Sequence, residues 1–184
     1  VCVKQVPDTA NVTAEAMKED GTVNRAALPA IFNPEDLHAL ETALEIRDAH
    51  GGTVTVVSMG PPKAADVLRD CLFRGADRAI LLTDRRAAAS DTLATSYILS
   101  QAVRTIGRYD FVFCGRQAID GDTAQVGPAL AEVLGIPHVS YLSKLLAWEN
   151  GLATVEAETG EWVDTLQVQL PALFTCSKQV GEPQ

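Results

Sequence analysis

Residues 114–128 read Cys-Gly-Arg-Gln-Ala-Ile-Asp-Gly-Asp-Thr-Ala-Gln-Val-Gly-Pro. They follow a short apolar run at 111–113, and after them apolar side chains recur at helical spacing between Val126 and Leu134. This combination predicts a loop that joins a buried strand to a helix. In α/β proteins, such loops lie at the carboxyl ends of the strands, where nucleotides bind.

Three glycines and two polar residues equip this loop to approach a phosphate. Gly115, Gly121 and Gly127 allow the backbone to turn sharply. Asp122 or Thr123 can cap the helix and expose its first N–H groups to an anion. The glycine spacing matches neither a Walker P-loop nor a dinucleotide G-x-G-x-x-G motif. On this pattern alone, a nucleotide loop and a loop that binds nothing are equally open.

Outside the loop, strand-like and helix-like segments alternate. Residues 33–36, Asn-Pro-Glu-Asp, are a typical helix start, with Asn33 as cap and two acids in solvent at the positive end of the helix dipole. Successive parallel strands joined by helices require right-handed crossovers. We therefore predict an α/β fold with a three-layer, doubly wound, mostly parallel sheet of the Rossmann-like kind. The predicted strands are 1–3, 53–58, 79–83, 110–114 and 139–142, with one helix in each interval.

The carboxyl-terminal part changes character. Between 145 and 170, apolar and polar residues alternate between turns that contain Gly151 and Gly160, which predicts an antiparallel β-meander. Residues 170–176 then return as a short buried strand. No linker or low-complexity run interrupts the chain, so 1–184 is predicted to be a single nucleotide-binding domain.

Packing expectations follow from the apolar spacing. Pro7 is predicted to end the first strand and turn the chain, and residues 10–32 fit either a small hairpin or an excursion over the sheet edge. Trp148 and Trp162 are predicted to be packing residues. The predicted buried helix faces are Leu37, Leu40 and Leu44; Val67, Leu68, Cys71 and Leu72; and Leu93, Tyr97, Ile98 and Ala102.

The composition excludes several classes of protein. A net charge of −9 repels nucleic acid and anionic lipid at long range, and no apolar stretch is long enough to span a bilayer. Cys2, Cys71, Cys114 and Cys176 form no C-x-x-C pair, which favours reduced thiols and a cytoplasmic location. The histidines are scattered, so no metal site is predicted. Val1 is not a start methionine and follows no leader, so we expect that a few residues precede it in the complete protein.

A second polar loop lies between 84 and 96. Ser90, Asp91 or Thr92 can simply cap the helix that starts there. Alternatively, Thr92, Thr95 and nearby N–H groups form a second anion site beside the 114–128 loop. Two neighbouring anion loops would suit a diphosphate, and the two interpretations are about equally supported.

The exact residues carry a family resemblance. Residues 115–127 resemble the adenine-nucleotide loop of the electron transfer flavoprotein β subunit. The likeness covers nearly the whole chain, in the family's order. It includes Val3-Lys4-Gln5-Val6-Pro7-Asp8, Asn33-Pro34-Glu35-Asp36, Val57-Ser58-Met59-Gly60-Pro61 and Arg74-Gly75-Ala76-Asp77-Arg78-Ala79.

This resemblance implies a function. Electron transfer flavoproteins are αβ heterodimers that carry electrons from dehydrogenases to acceptors, and their β subunit holds AMP or a second FAD in its α/β domain. It also implies that the family's C-terminal arm, which contacts the partner, is absent from this chain. The cofactor-binding residues implied by motif, together with the second loop, are Cys2, Val3, Lys4, Asn33, Ser58, Met59, Gly60, Asp91, Thr92, Thr95, Gly115, Arg116, Gln117, Asp120, Gly121, Asp122, Thr123, Ala124, Gln125, Val126 and Gly127.

The choice between the two nucleotides depends on both loops. Gly-Asp-Thr-Ala-Gln-Val-Gly-Pro at 121–128 and Asp-Thr-Leu-Ala-Thr-Ser at 91–96 resemble the electron-bifurcating members. We therefore predict FAD, with AMP in an ordinary one-flavin carrier as the alternative. The implied partners are an α subunit, redox partners of the acyl-CoA dehydrogenase or quinone reductase type, and NADH if the complex bifurcates.

Two other classes remain possible on the sequence alone. A universal-stress-type module would share the α/β architecture, retain ATP and need no partner chain. A nucleotidyl-transfer enzyme would need charged groups around the phosphates, for which only Lys4 and Arg116 are candidates. No G-x-S-x-G or H-E-x-x-H motif is present, so no catalytic residue is predicted and the chemistry is assigned to a bound cofactor.

Overall fold

The computed structural model describes residues 1–9, 11, 16, 24 and 27–176. They form an α/β fold with both parallel and antiparallel strands. No helix within these residues has the length and apolar character needed to cross a membrane. The strands are β1 (Gln5–Pro7), β2 (Ala30–Phe32), β3 (Thr55–Met59), β4 (Arg78–Leu82), β5 (Phe111–Gly115), β6 (His138–Glu149), β7 (Leu152–Thr159), β8 (Trp162–Gln169) and β9 (Ala172–Cys176), and the α-helices are α1 (Pro34–His50), α2 (Ala65–Phe73), α3 (Thr92–Ile106) and α4 (Val126–Leu134).

The amino-terminal residues lie in the middle of the main sheet. Cys2 bridges Val57 of β3 on one side and Cys114 of β5 on the other, both in parallel orientation. Its backbone N–H donates to the carbonyl oxygen of Phe113 at 2.8 Å. The segment predicted as the first strand therefore occupies a central place, although it makes single bridges rather than a full ladder. β4 also pairs in parallel with β3. The amino-terminal segment, β3, β4 and β5 therefore run in one direction, and their carboxyl ends lie at the same edge of the sheet.

Strand β9 connects the parallel part of the sheet to the meander. It lies between β5 and β6 and runs parallel to both, as the predicted returning strand. β6 then pairs antiparallel with β7, and β7 with β8. The turn between β6 and β7 has positive φ at Asn150 and Gly151, as two-residue hairpin turns require. The meander predicted at 145–170 is present, but β6 starts at His138, so the predicted fifth strand and the first meander strand are one strand.

Helices cover both faces of the sheet. Successive residues of a strand point to opposite faces, and on β5 Phe113 packs with Leu40 in a cluster with residues of α1 and α2. The preceding Val112 packs instead with Leu99 of α3 and Leu130 of α4. The sheet therefore separates α1 and α2 from α3 and α4.

The chain leaves the main sheet directly after its central bridge. β1 pairs antiparallel with β2, and Pro7 lies opposite Ala30. Pro7 is the last residue of β1, a place where its missing N–H is tolerated. The prediction that a strand ends at Pro7 is therefore confirmed, but this strand is β1 and not the central segment at 1–3. Residues 30–32 form β2, but its partner β1 precedes 10–32, so the choice between a small hairpin and an excursion stays a prediction. The rest of that prediction falls on residues 10, 12–15, 17–23 and 25–26, which lie outside the described residues.

The buried face of α3 differs from the predicted one. Leu93 and Tyr97 are 66% and 57% exposed, and Ser96 and Ser100 face the interior instead. Each serine hydroxyl donates to a carbonyl oxygen of its own helix, at 2.7 and 2.6 Å. A buried hydroxyl with such a partner avoids the cost of desolvation without a hydrogen bond. Small residues can therefore occupy the interior face of α3.

The predictions for three further packing residues have mixed outcomes. Trp148 packs edge-on against Phe111, with ring centroids 4.8 Å apart. Trp162, in contrast, is 73% exposed on β8, so its prediction as a packing residue is wrong. Leu72 of α2 is likewise 43% exposed. Of the eight residues of β8, seven are exposed, so alternating residues there meet no second layer in the described part of the chain.

Candidate functional site

A cavity of about 840 Å³ lies at the carboxyl edge of the parallel strands. The segment 2–4 and the loops after three strands line it: 59–62 after β3, residues between 82 and 92 after β4, and residues between 114 and 127 after β5. Parallel strands place these loops side by side, which is why α/β folds bind ligands there. The volume is within the range of about 300–1,000 Å³ that is typical of small-molecule and cofactor sites.

Most of the predicted site residues line this cavity, and Asn33, Ser58 and Asp120 do not. Ser58 follows Val57 on β3, so its side chain points to the other face of the sheet from Val57. Its hydroxyl is buried there without a hydrogen-bond partner in the described part of the chain. That the lining residues bind a nucleotide stays a prediction. They are Cys2, Val3, Lys4, Met59, Gly60, Asp91, Thr92, Thr95, Gly115, Arg116, Gln117, Gly121, Asp122, Thr123, Ala124, Gln125, Val126 and Gly127.

Asn33 is the residue before α1, as predicted, but its side chain holds the 114–128 loop. α1 begins at Pro34, and the fully buried Asn33 makes no side-chain cap bond. Its Nδ2 donates to the carbonyl oxygen of Gln117 at 2.9 Å, and its Oδ1 accepts from the N–H of Ile119 at 3.1 Å. The predicted side-chain cap is therefore wrong, because the amide satisfies loop groups that the chain places 84 and 86 residues away.

Glu35 and Arg116 form an ion pair behind the loop. Arg116 donates from Nη2 to Glu35 Oε1 at 2.7 Å and from Nε to Oε2 at 3.1 Å, and Oε2 also accepts from the N–H of Gln117 at 3.1 Å. The Glu35 side chain is only 6% exposed. Hydrogen bonding to Glu35 raises the pKa of Arg116 above its ordinary value. A guanidinium bound in this two-point geometry fixes the loop. The same two hydrogen bonds leave fewer N–H groups of Arg116 available to bind a ligand.

Asp36 accepts hydrogen bonds from two separate segments that line the cavity. Its Oδ2 accepts from the N–H of Lys4 at 2.8 Å and its Oδ1 from the N–H of Gly115 at 3.2 Å. Burial raises the pKa of Asp36 to about 7, against the lowering effect of its hydrogen bonds. The carboxyl is therefore only partly ionised at neutral pH, which weakens its repulsion of an anion. The prediction that Glu35 and Asp36 face solvent is wrong, because α1 starts beneath the loop.

Helix α4 starts later than predicted. It begins at Val126, and neither Asp122 nor Thr123 caps it. Asp122 and Ala124 have φ values of 50° and 53°, a left-handed conformation that costs energy for residues other than glycine. The Asp122 carboxylate accepts from Gln117 Nε2 at 2.9 Å. The loop therefore extends along the cavity for several residues before the helix begins, and such strained backbone is frequent at ligand sites.

The glycines of the loop have different roles. A Cβ on Gly115 would lie 2.7 Å from the carbonyl carbon of Glu35 and 2.8 Å from the backbone nitrogen of Asp36, and one on Gly127 would lie 2.6 Å from Thr175 Cγ2. Only glycine permits such close packing against α1 and β9. Gly121 has no atom within 4 Å of that position and no positive φ, so the turn does not require it.

The amino termini of α3 and α4 meet at the cavity. Asp91 caps α3, because its carboxylate accepts from the N–H of Ala94 at 2.8 Å. The hydroxyl of Thr92 donates to Gln125 Oε1 at 2.9 Å, which connects the first residue of α3 to the residue before α4. The first N–H groups of a helix lack intrahelical acceptors and attract anions. Two such ends side by side offer anion-binding groups on both sides of one space.

The charged groups at the cavity are largely paired. Lys4 Nζ donates to Asp120 Oδ1 and Oδ2 at 2.8 and 2.9 Å, and Arg116 is paired with Glu35. Arg85, which sequence reasoning missed, is an exposed cation in the lining. Its position in the loop after β4 is the sequence signal that could have identified it as a cavity residue. In the described residues, no group of three or more His, Cys, Asp or Glu is arranged to hold a metal ion.

Apolar residues complete the walls. Sequence reasoning did not single out Pro61, Leu82 and Leu99, although the first two directly follow or end parallel strands. Leu99 was hidden by the wrong choice of buried face on α3. Met59, Leu82 and Leu99 belong to one hydrophobic cluster and give the cavity an apolar surface that suits a planar ring.

Comparisons with known proteins show the family of this chain. The family model described as "Electron transfer flavoprotein domain" matches residues 20–184. The chain belongs to the electron transfer flavoprotein family, among its β subunits. The resemblance drawn from the sequence is thereby confirmed.

Several relatives match nearly the whole chain. The electron transfer flavoprotein subunit beta of Clostridium acetobutylicum is 47% identical, over all of this chain and 70% of that protein. The caffeyl-CoA reductase-Etf complex subunit CarD of Acetobacterium woodii is 45% identical over the same shares. Protein FixA of Azorhizobium caulinodans is 48% identical, over 99% of this chain and 66% of that protein. This electron transfer flavoprotein chain therefore spans about two thirds of the length of these relatives.

Proposed function

We propose that this chain binds FAD in the 840 Å³ cavity and, together with an α subunit, carries electrons between dehydrogenases or NADH and their acceptors. The observation that carries the proposal is the meeting of two helix amino termini at one cavity, joined by the Thr92–Gln125 hydrogen bond. A single phosphate needs one such end, whereas a diphosphate can use both. FAD has a diphosphate, and AMP does not.

The residues present fit such a group in two respects. The lining next to the helix starts is polar, with Thr92 and Thr95, while Met59, Pro61 and Leu99 offer an apolar surface to a ring system. When bound, FAD supplies the hydride and single-electron chemistry, which side chains lack. The chain's own residues bind and orient the cofactor, and the apolar walls exclude water from it.

Further features of the proposal rest on the family. The resemblance of 91–96 and 121–128 to bifurcating members supports NADH as an electron donor, and partners of the acyl-CoA dehydrogenase or quinone reductase type. We also propose that the chain forms a single, doubly wound, Rossmann-like domain, that the partner α subunit completes the heterodimer, and that the complex is cytoplasmic.

The second candidate is AMP in an ordinary one-flavin carrier. It is supported by Asp91, whose carboxylate caps α3 and occupies the N–H of Ala94, so that fewer groups of this helix remain for a second phosphate. A nucleotidyl-transfer enzyme has less support, because Lys4 and Arg116 are paired with Asp120 and Glu35. The universal-stress-type module loses support because the chain belongs to another family.

Calorimetric titration with FAD, AMP and ATP tests the proposal. We expect FAD to bind at least about tenfold more tightly than AMP, a difference of about 1.4 kcal/mol. Thr92→Val should weaken FAD binding more than AMP binding, because it breaks the link between the two helix starts. Thr105→Val on the same helix is the matched control, since its hydroxyl bonds only within α3. Equal affinities for FAD and AMP, or binding of ATP alone, would contradict the proposal.

A further inference from the structure

Two cysteines lie side by side within the cavity. Cys2 and Cys114 are direct partners in neighbouring parallel segments, and such partners project their side chains to the same face of the sheet. Both line the cavity, and both pack in the hydrophobic cluster that contains Leu99 of α3. They are 112 positions apart in the sequence, so only the fold brings them together.

The two thiols are not equivalent. Cys114 is 5% exposed, whereas Cys2 is partly accessible. A hydrogen bond from the Cys114 thiol stabilises the Cys2 thiolate and lowers the pKa of Cys2 to about 7. The same bond, together with burial, raises the pKa of Cys114. An accessible thiol of lowered pKa beside a buried second thiol is the arrangement found in redox-sensitive cysteine pairs.

We propose that Cys2 and Cys114 form a redox-active dithiol, in which Cys2 attacks a low-molecular-weight disulfide and Cys114 resolves the resulting mixed disulfide. In the first step the reagent S–S bond breaks, a bond forms between Cys2 Sγ and one reagent sulfur, and one thiolate leaves. In the second step Cys114 loses its proton to water and attacks Cys2 Sγ, which releases the second thiolate. Two protein thiols are oxidised, and one disulfide is reduced to two thiols.

The backbone spacing permits the product. Neighbouring strands lie about 4.8 Å apart, within the range of about 4.4–6.8 Å found between the Cα atoms of disulfide-bonded cysteines. The other cysteines do not compete for the reagent. Cys71 and Cys176 are fully buried in the cluster on the opposite face, and burial raises the pKa of each to about 12.

The test uses the purified, reduced, nucleotide-free chain and a nitrobenzoate disulfide, whose released thiolate absorbs visible light. We expect rapid release of about two thiolates per chain, leaving a Cys2–Cys114 disulfide in peptide mass maps. Cys114→Ser should release about one thiolate and keep the reagent on Cys2, and Cys2→Ser should lose the rapid phase. Cys176→Ser, the buried control, should still release about two.

A stable mixed disulfide on Cys2 in the unsubstituted chain would overturn the proposal, as would rapid modification of Cys71 or Cys176. Because mass mapping of the unsubstituted chain decides this, the test does not depend on any variant folding. Saturating FAD should slow the rapid phase at least tenfold. If about two thiolates are released at the same rate with FAD present, the dithiol stands and the proposed nucleotide site fails.

Discussion

Gly115 gives the sharpest test of how the loop is built. Alanine at this position would place its Cβ 2.7 Å from the Glu35 carbonyl carbon and 2.8 Å from the Asp36 nitrogen. Both are backbone atoms of the first residues of α1, so a rotamer change cannot relieve the contact. Either α1 or β5 must shift by several tenths of an ångström.

The expected cost has two parts. Overpacking of this kind typically costs about 1–3 kcal/mol. The shift also lengthens the hydrogen bond from the Gly115 N–H to Asp36, which is already 3.2 Å, and a buried donor left without its acceptor costs about 1–3 kcal/mol. We therefore expect Gly115→Ala to lower the free energy of unfolding by about 2–6 kcal/mol.

Urea unfolding measures this change, with Gly121→Ala as the matched control. Gly121 has open space and no positive φ, so alanine there should leave stability unchanged or raise it by up to about 1 kcal/mol through the unfolded state. With a slope near 3 kcal/mol per M, Gly115→Ala should lower the midpoint by about 1 M. If the two variants differed by less than about 0.5 kcal/mol, the close packing of Gly115 on α1 would be refuted.

Three other substitutions probe the supports of the loop. Asn33→Ala should cost about 1–3 kcal/mol in urea unfolding, because it leaves the half-buried N–H of Ile119 and the half-buried carbonyl of Gln117 without their partner. A loss below about 0.5 kcal/mol would count against its role. Asp36 keeps its proton in the folded state up to about pH 7, so it stabilises the fold at about pH 4 and loses this contribution as the pH rises to about 7. The free energy of unfolding of the unsubstituted chain, minus that of Asp36→Asn, should therefore fall by up to about 4 kcal/mol over that interval. A difference that does not change with pH would show that Asp36 titrates normally. Asp120→Asn should cost no more than about 1 kcal/mol, and less at high salt, because Lys4 is 47% exposed; a larger, salt-independent loss would contradict this estimate.

The fold was largely predictable because its signals are local. β-branched strands, the Asn-Pro helix start and the hairpin turn at Asn150-Gly151 each act over a few residues. The face of α3 was not predictable in this way, because buried Ser96 and Ser100 look polar in sequence. Exposed Trp162 looks apolar, and its environment depends on the absence of a covering layer beyond β8 in the described residues.

The supports of the site were missed for a different reason. Asn33, Glu35 and Asp36 look like the cap and first turn of a solvent-exposed helix. Their partners at 115–119 lie about 80 residues further along the chain, and nothing in the local pattern reveals the pairing. The loop position itself was predictable, because a glycine-rich stretch between an apolar strand and a helix is a local signal.

The central claim is that this chain holds FAD. Its most direct test is to purify the complete β subunit with its cognate α subunit, denature the complex, and quantify the released FAD and AMP by chromatography. We expect about two FAD and no AMP per heterodimer, one FAD from each of the two nucleotide sites. One FAD with one AMP would contradict the claim and assign this cavity to AMP.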